Sequence, residues 1–205
     1  AMAHVQLVKV KAGDTPSIEL MTEIGEHVAS VERDLRRAKE IIDELGQLSS
    51  NSIVPTSSER ADLNRLVSAL VLQHQASFAE DGIALNYESV SVPLIRGREE
   101  PLRRALFEVL KNARRGLLGR QNKSIRVRLE DQRDTVRLTI VENGIGMDRE
   151  TRTQAFDPFF HGFDDPSSRG LGLATVRSIV LAHGGTCDLE SSPGDGTTII
   201  LTWPV

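Results

Sequence analysis

Glu108 and Asn112, four residues apart in FEVLKNA (residues 107–113), are the first pair whose types and spacing suit chemistry. On a helix they point to the same side, where a carboxylate can accept a proton and an amide oxygen can ligate a hard cation. Arg115 follows close behind on the same stretch. Farther along, Gly170 and Gly172 in SRGLGL (168–173) precede a helical pattern, and the first amides of such a helix, at its positive dipole end, suit an anion such as phosphate. VENGIGM (141–147) and GDGTT (194–198) place further glycines where backbone can lie against a flat group with no Cβ in the way. Each element is weak alone. Asn112 is then a helix-surface amide, Glu108 an exposed helix carboxylate, Asn143-Gly144 a turn after a strand and PGDG a hairpin turn.

Their order is the stronger signal, because spaced elements in fixed succession are far rarer by chance than one Gly-X-Gly. FEVLKNA, VENGIGM, FDPFF (156–160), SRGLGL and GDGTT together resemble the ATP-binding domain shared by sensor histidine kinases, DNA gyrase, the Hsp90 chaperones and mismatch-repair ATPases, the GHKL superfamily. FDPFF followed by GLGLATVRSIVLAHGG is similar to the phenylalanine box, lid and second glycine box of the kinase branch, and the resemblance covers residues 62–205. It implies an α+β fold, a two-layer α/β sandwich of the Bergerat type, with ATP and Mg2+ as cofactors.

The resemblance also implies roles. Asn112 is the magnesium ligand and Arg115 the basic residue facing the phosphates. Glu108 stands where many histidine kinases have Asn; hydrolysing relatives have Glu there, as a general base. Glu142 replaces the usual Asp that accepts a hydrogen bond from the adenine amino group, one methylene longer, and a carboxylate there disfavours guanine. Gly144 and Gly146 lie against the base, with Ile145 and Met147 over its face. Gly170 and Gly172 hold phosphate, and Thr198 helps to hold adenine. Arg169, where the pattern has Thr, reads either as a phosphate contact or as a solvated lid residue. Phe156, Phe159 and Phe160 pack the base of a short acidic lid (161–168). Lys111 reads as surface.

These residues need elements to position them. Met21, Ile24, Val28, Val31, Leu35, Ala38, Ile42 and Leu45 alternate steps of three and four, a heptad seam on a helix over residues 16–50. The seam predicts a homodimer through this N-terminal helix, or packing onto the chain's own globular part; Leu20, Ile41 and Leu48 widen it toward a bundle. Residues 51–61 read as a linker and 62–205 as the ATP-binding domain, with 1–15 as an N-terminal segment that includes an expression remnant. Helices are expected at 62–78, 99–118 and 171–183, and strands at 83–90, 124–130, 135–141, 186–190 and 197–203. Blocks of helix interrupting a mainly antiparallel sheet give helices on one face.

A net charge of −4, with Lys and Arg spread along the chain, gives no basic stripe for nucleic acid. No apolar run approaches membrane-spanning length, so any membrane anchor is expected outside these residues. The single cysteine, Cys187, reads as a buried small hydrophobe in a reduced, cytoplasmic setting. The resulting expectation is the catalytic region of a sensor histidine kinase, passing the ATP terminal phosphate to a histidine and on to a response-regulator receiver domain. The alternative is a nucleotide-binding regulatory module that acts through its dimer helix. His27, beside the seam, is the candidate phosphoacceptor inside the chain but lacks a following acid, so the acceptor is expected upstream of these residues.

Overall fold

The computed structural model describes residues 22, 24–35, 46, 53–162 and 169–205. By contacts the chain forms two units, residues 1–45 and 46–205. In the first, residues 24–35 are helical, and Val28, Val31 and Leu35 of the expected seam are exposed. Ile24 of the seam is half-buried, while Met21, Ala38, Ile42 and Leu45 lie outside the described residues, as does most of the expected lid, 163–168.

The second unit carries strands β1 (Arg60–Ala61), β2 (Ala84–Ser89), β3 (Ile95–Arg96), β4 (Ser124–Asp131), β5 (Thr135–Glu142), β6 (Thr186–Ser192) and β7 (Gly196–Pro204). Its helices are α1 (Leu63–Glu80), α2 (Glu99–Gly116), α3 (Arg149–Gln154) and α4 (Gly172–Ala182). Five strands form one sheet in the order β2-β4-β5-β7-β6, parallel between β2 and β4 and antiparallel elsewhere. Strict alternation puts Ile125, Val127 and Leu129 of β4, Val136, Leu138 and Ile140 of β5, and Ile199, Leu201 and Trp203 of β7 on one buried face. The helices cover that face, giving the expected two-layer sandwich.

Local chemistry fixes the helix ends. Asp62 caps α1 by accepting the Arg65 N–H at 3.0 Å, and Leu63, Leu66, Val67, Leu70 and Val71 form its buried stripe. In α2, Glu99 and Glu100 stand in the first turn and Arg114 and Arg115 in the last, the arrangement the helix dipole favours. His183 closes α4: its Nδ1 donates to the Ile179 carbonyl at 2.7 Å, and its Nε2 accepts the Arg98 N–H, at the head of α2, at 3.1 Å. Burial holds this imidazole below its ordinary pKa.

Two expectations change. The segment read as a linker is partly ordered on the domain: Ile53 and Ala61 are buried, Glu59 accepts the Gly97 N–H and β1 pairs with β3. The helix α3, RETRTQ, has no buried residue and so no apolar period to announce it. Cys187 does face the core, and burial pushes its thiol up to about 12, so it stays protonated and inert.

Candidate functional site

The alternation of β5 carries one residue past its apolar run. After Val136, Leu138 and Ile140, the next inward position is Glu142, a carboxylate left 4% exposed on the core side of the sheet. Its Oε2 accepts the Gly144 N–H, and Gly116, at the end of α2, leaves it room: a Cβ there would stand 3.3 Å from Oε1. A mostly apolar cavity opens beside it, walled by Val109, Ala113, Ile140, Met147, Leu173 and Ile199. Such a carboxylate favours a ligand that brings a hydrogen-bond donor.

Across from Glu142 the register is off by one from the expected site. Thr197 pairs with Glu142 and lines the cavity, whereas Thr198 pairs with Val141 on the opposite face of the sheet. Thr197 therefore faces the cavity, and Thr198 does not. The Thr197 hydroxyl lies 3.1 Å from that of Ser191, which donates to the Gly196 carbonyl and accepts the Met147 N–H, both at 2.8 Å. Neither Ser191 nor Thr197 was singled out in the sequence; the serine's inward position on β6 was the available signal.

The loop between β5 and α3 also departs from expectation. A Cβ on Gly144 would strike the Gly116 carbonyl, and one on Gly146, which has φ +67°, would strike the Ser192 carbonyl. Both glycines thus admit protein backbone, which shapes the cavity wall from behind. Met147 lines the cavity, while Ile145 is 45% exposed and does not. Arg120 holds the loop to the β6–β7 turn, donating to the carbonyls of Asn143 (3.3 Å) and Gly194 (3.0 Å).

A second cavity adjoins the first and shares Asn112, Met147 and Leu173 with it. Arg115, Thr151, Phe160, Gly170 and Gly172 are also in its wall. Asn112 stands at the junction with its Nδ2 buried and without a protein partner. Glu108 is beside it: a Cβ on Gly172 would come within 3.0 Å of the Glu108 Oε2 and 3.1 Å of the Asn112 Nδ2. Gly172 is the first residue of α4, and Leu171 before it offers no side-chain cap, so the leading amides of the helix are open to an anion.

Here FDPFF and the glycine box cross. The Phe159 N–H donates to the Gly170 carbonyl at 2.8 Å, and Gly170, at φ +66°, has no room for a Cβ against the Phe159–Phe160 peptide. Phe159 itself sits at φ +66° and is 51% exposed, and the lid it was expected to pack lies mostly outside the described residues. Lys111, read as surface, instead grips the Glu108 carboxylate at 2.7 Å, a partner that its i,i+3 spacing could have announced. Arg169 is half-buried and lines neither cavity. His27 belongs to the N-terminal unit.

Residues 97–205 match the family described as histidine kinase-, DNA gyrase B- and HSP90-like ATPase. The heme sensor protein HssS of Staphylococcus saprophyticus is 28% identical over 69% of this chain and 30% of its own. The sensor histidine kinase ZraS of Klebsiella oxytoca is 32% identical over 84% of this chain and 37% of its own. The chain thus spans only about a third of these relatives' length. The histidine kinase ThkA, in its complex with the response regulator protein TrrA, has the same fold, with a TM-score of 0.63 at 20% identity over 99% of this chain and 56% of that one. With the matched segment reaching from the head of α2 to the C-terminus, and so spanning both cavities, the chain belongs to the ATP-binding family of histidine kinase-, DNA gyrase B- and HSP90-like ATPases.

Proposed function

We propose that this chain is the ATP-binding catalytic region of a sensor histidine kinase that passes the terminal phosphate of ATP to a histidine, for relay to an aspartate of a response-regulator receiver domain. The observation that carries the reading is the pair of joined cavities, with a buried carboxylate in one and an uncapped helix start in the other. Adenine fits the first, its amino group donating to Glu142 and its face against Met147 and Leu173. The phosphates fit the second, against the amides at Gly172 and the Arg115 guanidinium.

A magnesium ion would be held by the Oδ1 of Asn112, which stands where the two cavities meet, and its buried, unpartnered Nδ2 would be left to donate to a phosphate oxygen. Among the described residues no cluster of three His, Cys, Asp or Glu offers another site, which suits an ion held mainly by phosphate and water. The ion would neutralise phosphate charge. Glu108, next to Asn112, is placed to accept a proton from the attacking group.

The names of HssS and ZraS, and the ThkA complex with TrrA, support the kinase reading and the receiver partner. The exposed Val28, Val31 and Leu35 support a homodimer through the N-terminal helix, and the kinase reading carries with it a cytoplasmic setting for this region. Among the described residues no helix is long and apolar enough to cross a membrane.

Calorimetry tests the core of the reading. We expect Mg-ATP to bind with a Kd of roughly tens of micromolar, about 6 kcal/mol, and GTP far more weakly. Equal affinity for the two would remove the role of Glu142. No histidine of the chain is followed by an acidic residue. Incubation with labelled ATP is therefore expected to leave the chain unlabelled, and acid-labile label lost in His27→Gln would make His27 the acceptor.

A further inference from the structure

Glu108 poses an electrostatic problem. It puts a carboxylate, 17% exposed, beside Asn112 and the first residue of α4, where the site otherwise gathers positive potential for an anion. A negative charge there repels phosphate unless something neutralises it. One oxygen, Oε2, faces Gly172 and Asn112; the other, Oε1, meets the Lys111 ammonium at 2.7 Å. Lys111 is itself held: its Nζ lies 5.6 Å from the centre of the Phe107 ring, and Phe107 stacks on His74 of α1 at 5.1 Å. The ammonium is therefore fixed over Glu108 by a contact chain reaching to the neighbouring helix.

We infer that Lys111 is a positioning residue whose charge makes this glutamate-bearing site tolerant of a triphosphate. It acts through Glu108 and does not itself touch the nucleotide. The inference rests on the nucleotide reading above. Its signature is an affinity loss that grows with the number of phosphates and disappears when Glu108 loses its charge.

Calorimetry on the intact chain with Mg-ATP, ADP and adenosine tests this in Lys111→Met, Lys111→Arg, Glu108→Gln and the Glu108→Gln/Lys111→Met double variant. In Lys111→Met, ATP affinity should fall roughly five- to tenfold. ADP should lose less, and adenosine nothing. Lys111→Arg should retain near-normal affinity, and the double variant should bind ATP as Glu108→Gln alone does. Equal losses for ATP and adenosine would mean that Lys111 serves only packing. Persistence of the ATP loss in the Glu108→Gln background would mean that Lys111 contacts phosphate directly. Either result overturns the inference, as does unchanged ATP affinity in Lys111→Met. Failure of the unsubstituted chain to bind any nucleotide would instead remove the site reading and this inference with it.

Discussion

The two ends of the cleft are made differently. The end proposed for the base is built from strand interiors: Glu142, Thr197 and Ile199 hold their places because the alternation of β5 and β7 buries one face of a sheet. The end proposed for the phosphates is built from backbone that crosses itself, where Phe159 and Gly170 both adopt left-handed conformations. A core-derived wall keeps its shape as long as the domain is folded. A crossing of two loops at a helix start depends on a few backbone contacts, and so is the end where local changes are expected to reach function without unfolding the chain.

The largest effect should come from breaking the base end from behind. Gly146→Ala adds a Cβ to a residue at φ +67° that faces the Ser192 carbonyl, and should cost about 3 kcal/mol or more of domain stability. Gly82→Ala is the control: its φ is +71° with nothing within 4 Å, so only the backbone penalty of about 1 kcal/mol remains. Urea denaturation of both compares them. Similar midpoints would show that the Gly146 contact yields easily.

Next comes the junction. Asn112→Ala should leave the fold intact and lower Mg-ATP affinity by roughly tenfold or more, as expected when a contact to a charged group is lost. Adenosine binding should change little. If magnesium-dependent binding survives unchanged, Asn112 is not the metal ligand. At the base itself, Glu142→Gln should narrow the preference for ATP over GTP by about tenfold, since an amide can donate to a guanine carbonyl where a carboxylate cannot. Competition calorimetry with both nucleotides measures the ratio, and an unaltered ratio removes the specificity role.

The smallest effect concerns pH. His183 links the far end of α4 to the head of α2, and its folded pKa lies below the ordinary 6.5 because the ring is buried. Below 6.5 the unfolded chain therefore takes up more protons than the folded one. The stabilising contribution is full above that value and is lost as pH falls through the folded pKa. Hydrogen exchange at pH 7.5 and 5 should show α4 loosening in acid before β5 and β7 do. Uniform loss of protection across both would erase the distinction between the two ends.

The same distinction decides what was legible in the sequence. The sheet and its covering helices were readable because Val136, Leu138 and Ile140, or Leu63, Leu66, Val67 and Leu70, repeat at the periods of strand and helix. Glu142 and Asn112, whose roles are proposals, stand out only through their motif neighbours. The motif points to Thr198 and not Thr197 because motif position carries no strand phase; the phase is set by pairing with β5, and one step of register turns the side chain to the other face. Lys111 reads as surface from helical direction alone, because that direction leaves out the reach of its side chain to Glu108. Phe159 and the roles of Gly144 and Gly146 were hidden for another reason: they depend on contacts between segments far apart in sequence, with the Gly170, Gly116 and Ser192 backbones, which no local pattern encodes.

For ligand chemistry, the depth of the acidic group in the base cavity sets a ruler. Glu142 reaches one methylene farther than an aspartate at the same backbone position would, and its carboxylate is steadied by the Gly144 N–H against Gly116. A competitive heterocycle whose donor arm is trimmed to this reach should lose potency against Glu142→Asp, and one with a longer arm should gain it. Paired inhibition curves on the two chains would read that selectivity directly.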